Sequence, residues 1–170
     1  MSLDVLTDRG QRSLADEQEM AEAWEAATGW KYLHTPKDST AAVDAILLNR
    51  DGELAGVAET KCRDCNRVMM ETAFANEWLI TFDKLQAAAQ VAERLSVPLF
   101  CFLYLTMDRE ISVVKAADEH GRITVPLRID WTETQATCNG GQAHRLNAYM
   151  SLKNAKIFPS HSLTAAPRGG

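Results

Sequence analysis

The spacing of apolar positions changes several times along the chain, and each change predicts an element. Between Leu14 and about Thr28, Met20, Ala23, Trp24 and Ala27 recur at helical intervals, so an amphipathic helix is expected there. Ser13 is its expected N-cap and Gly29 its stop. "WKYLHT" then reads as a strand and "KDST" as a loop. "AVDAILL" and "ELAGVAETK" read as two more strands around "NRDGE", in which Asp51-Gly52 is a two-residue hairpin signal. Residues 64–80 read as a longer mixed connection with room for a short helix. A second helix is expected from Phe82 to Leu95, capped by Thr81 and burying Leu85, Ala88, Ala89, Ala92 and Leu95. "PLFCFLYLT" is nearly continuously apolar and suits a central strand, and "EISVVKA" and "ITVPLRI" are further strands. The order of helix, three strands, helix, strand and extra strands predicts an α/β fold, a mixed sheet flanked by helices.

Composition narrows this picture. The 170 residues fit one domain, expected over 1–158, with 159–170 as a loose tail that has little to bury. Apolar content of 46% and charged content of 24% are ordinary for a globular chain. No apolar run approaches the ~18 residues of a membrane span, and Met1 to Gln18 is too polar for a secretion signal. The expectation is a cytoplasmic protein without a membrane partner, its four cysteines reduced. The net charge of −5 argues against a general nucleic-acid coat. It leaves room for an enzyme acting on DNA, because metal-binding carboxylates contribute to that total.

The predicted hairpin carries the most specific chemistry. If Asp51 and Gly52 form the turn, Arg50 pairs with Glu53, and counting back along both strands sets Asp44 opposite Glu59. A symmetric four-residue loop gives the same pairing; a bulge breaks it. Facing residues have Cβ atoms roughly 4.5–5.5 Å apart, so two carboxylates there repel unless a cation compensates. Hard Mg²⁺ is a natural one. Lys61 lies two residues beyond Glu59 and shares its face. On the first helix, Glu17 falls within the arc of Met20, Ala21 and Trp24, where an acid needs a partner. Alternatively, Glu17 merely favours the helix dipole.

"VDAILLNRDGELAGVAETK", set between these helices, resembles the acid-then-E-x-K hairpin of the PD-(D/E)XK, or restriction-endonuclease-like, nuclease superfamily. The matching layout runs from about Ser13 to Thr106. The proline that often precedes the first acid is Val43 here. The resemblance implies a restriction-endonuclease-like core with extra C-terminal strands and a nuclease acting on DNA. It implies that Asp44, Glu59 and the backbone carbonyl of Thr60 bind Mg²⁺ or Mn²⁺, and that Lys61 positions or activates the attacking water. Glu17 resembles the acid that some members carry on their first helix. Lys84 or Gln86 resembles an accessory polar residue near the metal. Many members act as dimers, which makes a homodimer an expectation as well.

Other residues offer weaker chemistry. Cys62 and Cys65 form a single C-x-x-C, half of a zinc site or a redox pair, whose only available second half is Cys138 with His144. In a continuing strand Cys62 points away from the carboxylates. Cys101 falls in a core strand. Arg63 and Arg67, just after the motif, are candidates for contact with phosphates, and Phe74 and Trp78 for stacking on bases. The alternatives to a nuclease are a non-catalytic nucleic-acid-binding or assembly module with the same fold, and a zinc-stabilised interaction domain.

Overall fold

The computed structural model describes residues 8–37, 40–135 and 142–159. Helix α1 (Asp8–Thr28) leads into strand β1 (Lys31–His34), followed by β2 (Ala45–Leu48) and β3 (Leu54–Arg63). Then come α2 (Arg67–Thr72), β4 (Glu77–Thr81), α3 (Phe82–Leu95), β5 (Leu99–Leu105) and β6 (Glu110–Ala117). Strands β7 (Leu127–Gln135), β8 (Gln142–Ser151) and β9 (Lys156–Phe158) complete the described chain. Six strands form one mixed sheet in the order β1-β2-β3-β5-β6-β9. The remaining three form a second, antiparallel sheet, β4-β8-β7.

The parallel pair β3–β5 organises the main sheet. Parallel strands need a crossover, and α3 lies within it, packed on one face of the sheet. Val57, Leu99, Cys101, Leu103 and Val114 point to that face, where they join Leu85, Ala88, Ala89 and Ala92 of α3. The second sheet adds Trp78, Ile80, Ala148 and Met150 to the same core. On the opposite face, Ala45, Leu47, Ala58, Phe102 and Tyr104 pack against Met20, Ala21 and Trp24 of α1. Alternation along β3 therefore sends Val57, Glu59 and Lys61 toward α3, and Ala58, Thr60 and Cys62 toward α1.

Several expectations are corrected. Helix α1 starts at Asp8, so Ser13 lies inside it instead of capping it. Residues 8–13 hold Arg and Gln side chains that suit a helix, with Gly10 as the main weak point. Gly29 does end α1, with φ +75° and an amide bonded to Glu25 O at 2.8 Å. Thr81 stands at the start of α3 but makes no side-chain cap hydrogen bond. The connection over 64–80 contains a strand, β4, as well as a short helix. "ITVPLRI" becomes regular strand only at Leu127, because Pro126 has no amide to give a ladder; Ile123 makes an isolated bridge to Ala117. Trp78 is buried in the α3-side core, so it is not a platform for bases, whereas Phe74 is exposed.

The β2–β3 turn also differs from the expected one. Asn49 N–H donates to Glu53 O at 2.9 Å, and the Asn49 side chain accepts from the amides of Asp51 and Glu53. The closing pair is thus Asn49–Glu53 instead of Arg50–Glu53. Ala55 then bulges between the pairs Leu48–Leu54 and Leu47–Gly56. The bulge restores the register that the longer turn had shifted. Ala45 faces Ala58, which leaves Asp44 at the position opposite Glu59.

Candidate active site

Asp44 sits just before β2, where that strand's pairing with β3 runs out. Its amide donates to Ala58 O at 2.8 Å, and its Oδ2 accepts from the Thr60 amide at 2.8 Å. The carboxylate thereby takes over a sheet hydrogen bond and is pinned to the edge of β3. In an extended strand the N–H and C=O of one residue point to the same side, so the Thr60 carbonyl looks toward this edge too. On the α1 face, Thr60 Oγ1 lies 2.7 Å from Tyr32 Oη, which anchors the strand from behind.

Glu59 is 1% exposed and sits among three charged groups. Lys84 Nζ lies 2.6 Å from its Oε1 and 3.6 Å from Asp44 Oδ1. Lys61 Nζ is 3.4 Å from the same Glu59 oxygen. Lys84 comes from the first turn of α3, one turn before buried Ala88. A lysine in a first helical turn opposes the helix dipole, a cost of a few tenths of a kcal/mol. The two carboxylates offset it. Despite the short ion contact, both Glu59 oxygens are buried without a well-directed hydrogen bond.

The ion pairs continue to the other side of the sheet. Lys37, in the loop after β1, reaches Asp44 Oδ1 at 3.4 Å and Glu17 Oε1 at 2.9 Å. His34 Nδ1 lies 3.3 Å from the same Glu17 oxygen. Glu17 is buried on the α1 side and joins the cluster through Lys37. Acids and bases thus alternate in space: Glu17, Lys37, Asp44, Lys84, Glu59, Lys61.

The two facing carboxyls are driven apart in acidity. Burial pushes Glu59 up to about 7, and the negative Asp44 reinforces this against Lys61 and Lys84. Burial also acts against ionised Asp44, but Lys84, Lys37, the Thr60 amide and Lys61 together outweigh it and hold that carboxyl below its ordinary value. Lys84 is desolvated as well, yet Glu59 and Asp44 raise its pKa overall. At neutral pH, then, Asp44 is ionised and Lys84 is charged, while Glu59 stands between its two forms.

Asp44, Glu59, Lys61 and Lys84 converge, and Glu17 is tied in through Lys37. Gln86 is exposed further along α3, so Lys84 is the accessory polar residue that reaches the acids. Arg63 is exposed at the end of β3, its Nη1 donating to the Cys62 carbonyl at 3.2 Å. Arg67 is committed to the fold. Its Nε donates to Glu110 Oε1 at 2.8 Å, its Nη2 to Ser112 Oγ at 2.6 Å, and its amide to Asp108 Oδ2 at 2.7 Å. Sequence periodicity gave no signal for Lys37 or His34, since one lies in a loop and the other ends a short edge strand.

The described cysteines do not gather. Cys62 packs on the α1-side core and Cys65 in the α3-side core, so the two halves of C-x-x-C point into different interiors. Burial pushes the Cys62 thiol up to about 12 and the Cys65 thiol upward as well, against the thiolate that zinc or redox chemistry needs. Cys138 lies outside the described residues, and His144 stacks on Trp131 with centroids 5.3 Å apart. Cys101 is fully buried in β5, as expected.

The site's fit to a divalent cation rests on its donors. Glu59 offers two buried oxygens without directed hydrogen bonds, Asp44 offers Oδ1, and the Thr60 carbonyl faces the same edge. Lys84 holds the space between the carboxylates with its side chain 35% exposed, so a cation would have to displace its ammonium. Among the described residues, no group of three or more His, Cys, Asp or Glu is gathered to hold a metal. Mg²⁺ tolerates such a sparse set, because it retains several waters and takes substrate phosphate oxygens. Comparison of the chain with protein-family models, curated proteins and solved structures finds no match.

Proposed function

We propose that the chain is a Mg²⁺- or Mn²⁺-dependent nuclease of the PD-(D/E)XK type that hydrolyses phosphodiester bonds. The observation that carries this reading is the Asp44–Glu59 pair at the end of β2, with Lys61 on the same face of β3. Two facing carboxylates, one of them almost fully buried, are costly to a fold even with Lys84 Nζ 2.6 Å from Glu59 Oε1, and a bound cation would offset that cost. A bound divalent cation would polarise the phosphate and lower the pKa of a water. Asp44, Glu59 and the Thr60 carbonyl are the groups that would hold it. Lys61, 28% exposed, would orient the water and offset charge developing on the phosphate. Lys84 neutralises Glu59 when no cation is bound, and Lys37 with Glu17 fixes the orientation of Asp44. The preference for DNA rests on the resemblance of the hairpin to this superfamily.

One observation favours a second reading. Lys84 lies between the two carboxylates and balances their charge without a metal, which also suits a non-catalytic nucleic-acid-binding or assembly module. The two readings separate in a panel of duplex, branched and single-stranded DNA incubated with Mn²⁺, wild type beside Lys61→Ala. The nuclease reading expects cleavage that Lys61→Ala reduces by about 10²–10³-fold while binding persists. Retention of DNA by the wild type without turnover supports the binding module instead.

A further inference from the structure

The second sheet ends on β7, and among the described residues no strand pairs with its outer edge. Nine residues long, β7 leaves a row of backbone donors and acceptors on that side. Natural edge strands are usually short, bulged or guarded by inward charge. This one follows Pro126 and carries charges too, but they fall in a self-complementary stretch, Leu127-Arg128-Ile129-Asp130-Trp131. Ile129 is 47% exposed and Trp131 59% exposed. Register with β8 sets Leu127, Ile129 and Trp131 beside Met150, Ala148 and Leu146, on the apolar face of the sheet. Arg128 and Asp130 share the other face, their side chains 3.8 Å apart.

We propose that β7 is a self-association edge, which pairs antiparallel with β7 of a second copy about a two-fold axis at Ile129. The axis runs perpendicular to the sheet, so facing residues share a face and the centre must fall on a residue. Centred on Ile129, Arg128 meets Asp130 of the second copy twice, Leu127 meets Trp131 twice, and Ile129 meets itself. Centred on Arg128 or Asp130, like charges meet across the axis, which is destabilising. The Ile129 register is therefore the one that makes the interface isologous and charge-complementary. Arg128 already donates to Glu77 Oε2 at 3.0 Å and stacks over the Tyr149 ring at 3.8 Å. These contacts draw its guanidinium inward over β8 toward β4, so Arg128 must turn outward across the edge to meet the second copy's Asp130, for which its five N–H donors leave capacity. Pairing joins the two three-stranded sheets into one and covers two exposed apolar side chains per copy.

The test is the oligomeric state of the full chain by sedimentation at about 100 µM, enough to fill a micromolar interface. The wild type is expected to be a dimer, and Asp130→Arg and Arg128→Asp each a monomer. An equimolar mixture of the two variants is expected to dimerise, because each new charge then faces its opposite. Independently, Ile129→Cys in a Cys138→Ser background should crosslink to its own copy on mild oxidation, while Glu133→Cys in the same background should not. A monomeric wild type, a dimer that Asp130→Arg leaves intact, or an Ile129→Cys chain that fails to crosslink would each overturn the proposal. None of these readouts depends on nuclease activity.

Discussion

Replacing Glu59 with Gln should stabilise the fold, and only at the pH where Glu59 is asked to ionise. Glu59 has an ordinary carboxyl value of 4.5 and is pushed up to about 7 by burial and by Asp44. A group whose folded value is raised contributes its full stability below the unfolded value and loses it as pH rises through the folded one. At pH 4 the carboxyl is largely protonated in both states, and Glu59→Gln changes little. Above pH 7.5 the folded protein must hold a buried carboxylate that the unfolded chain ionises freely. The difference of about 2.5 pH units at 1.36 kcal/mol each amounts to about 3 kcal/mol. For a domain of this size that is about 6–12 °C in Tm. The assay is urea denaturation of both proteins at pH 4, 6 and 8 without divalent metal. The wild type should fall behind Glu59→Gln progressively between pH 4.5 and 8. A gap independent of pH rules this out, since it means that Glu59 ionises in the folded protein as easily as in water. Adding Mg²⁺ at pH 8 should narrow the gap by restoring the wild type alone.

Asp44 should behave in the opposite way. Its lowered carboxyl contributes stability above its ordinary value of 3.8 and loses it as pH falls further, so Asp44→Ala should destabilise by about 1–3 kcal/mol at pH 7 and less at pH 3, read from the same urea curves. Arg67→Ala should cost about 2–4 kcal/mol of stability, because it strands Glu110 and leaves buried Ser112 without its donor; the salt dependence of DNA binding should stay as in the wild type. Gly56→Ala should cost about 1–3 kcal/mol in thermal or chemical melts, since a Cβ there meets the Phe100 ring at 2.8 Å and Pro98 O at 3.2 Å.

The pairing of Asp44 with Glu59 is legible in the sequence, but burial and not the turn sets it. Asp51-Gly52 suggested a two-residue turn, whereas the side chain of Asn49 closes a longer one and Ala55 bulges to compensate. Two local departures cancel because the apolar faces of β2 and β3 must both meet the cores. Leu47 and Ala58 belong to the α1 side and Val57 to the α3 side, and a one-residue slip would bury the wrong set. The register is thus fixed by burial more firmly than by turn chemistry. The helix α3 is readable from its stripe of Leu85, Ala88, Ala89 and Ala92 and from Pro98 beyond its end, but Leu95, expected to be buried with them, is the last residue of the helix and lies 41% exposed.

What was not legible depends on contacts between distant segments. β4 is a five-residue run inside a mixed connection, and only its pairing with β8, about seventy residues later, makes it a strand. Lys37 gives no periodic signal, yet its ammonium ties Glu17 on one side of the sheet to Asp44 on the other. Arg67 reads in sequence as a free cation beside the motif; Glu110 and Ser112, two strands away in space, claim it for the fold. The C-x-x-C spacing is silent about faces, and strand alternation separates its thiols into two interiors.

The proposed role of Asp44, Glu59 and Lys61 is to form a metal-dependent hydrolytic site. It is tested most directly by single-turnover cleavage of labelled DNA in Mn²⁺, with and without EDTA, by wild type, Asp44→Ala and Glu59→Gln. The wild type should cut DNA in a reaction that EDTA abolishes and that both variants slow by about 10²-fold or more although each remains folded. Cleavage that survives in Asp44→Ala and Glu59→Gln, or folded wild type that cuts no DNA in Mn²⁺, would contradict it.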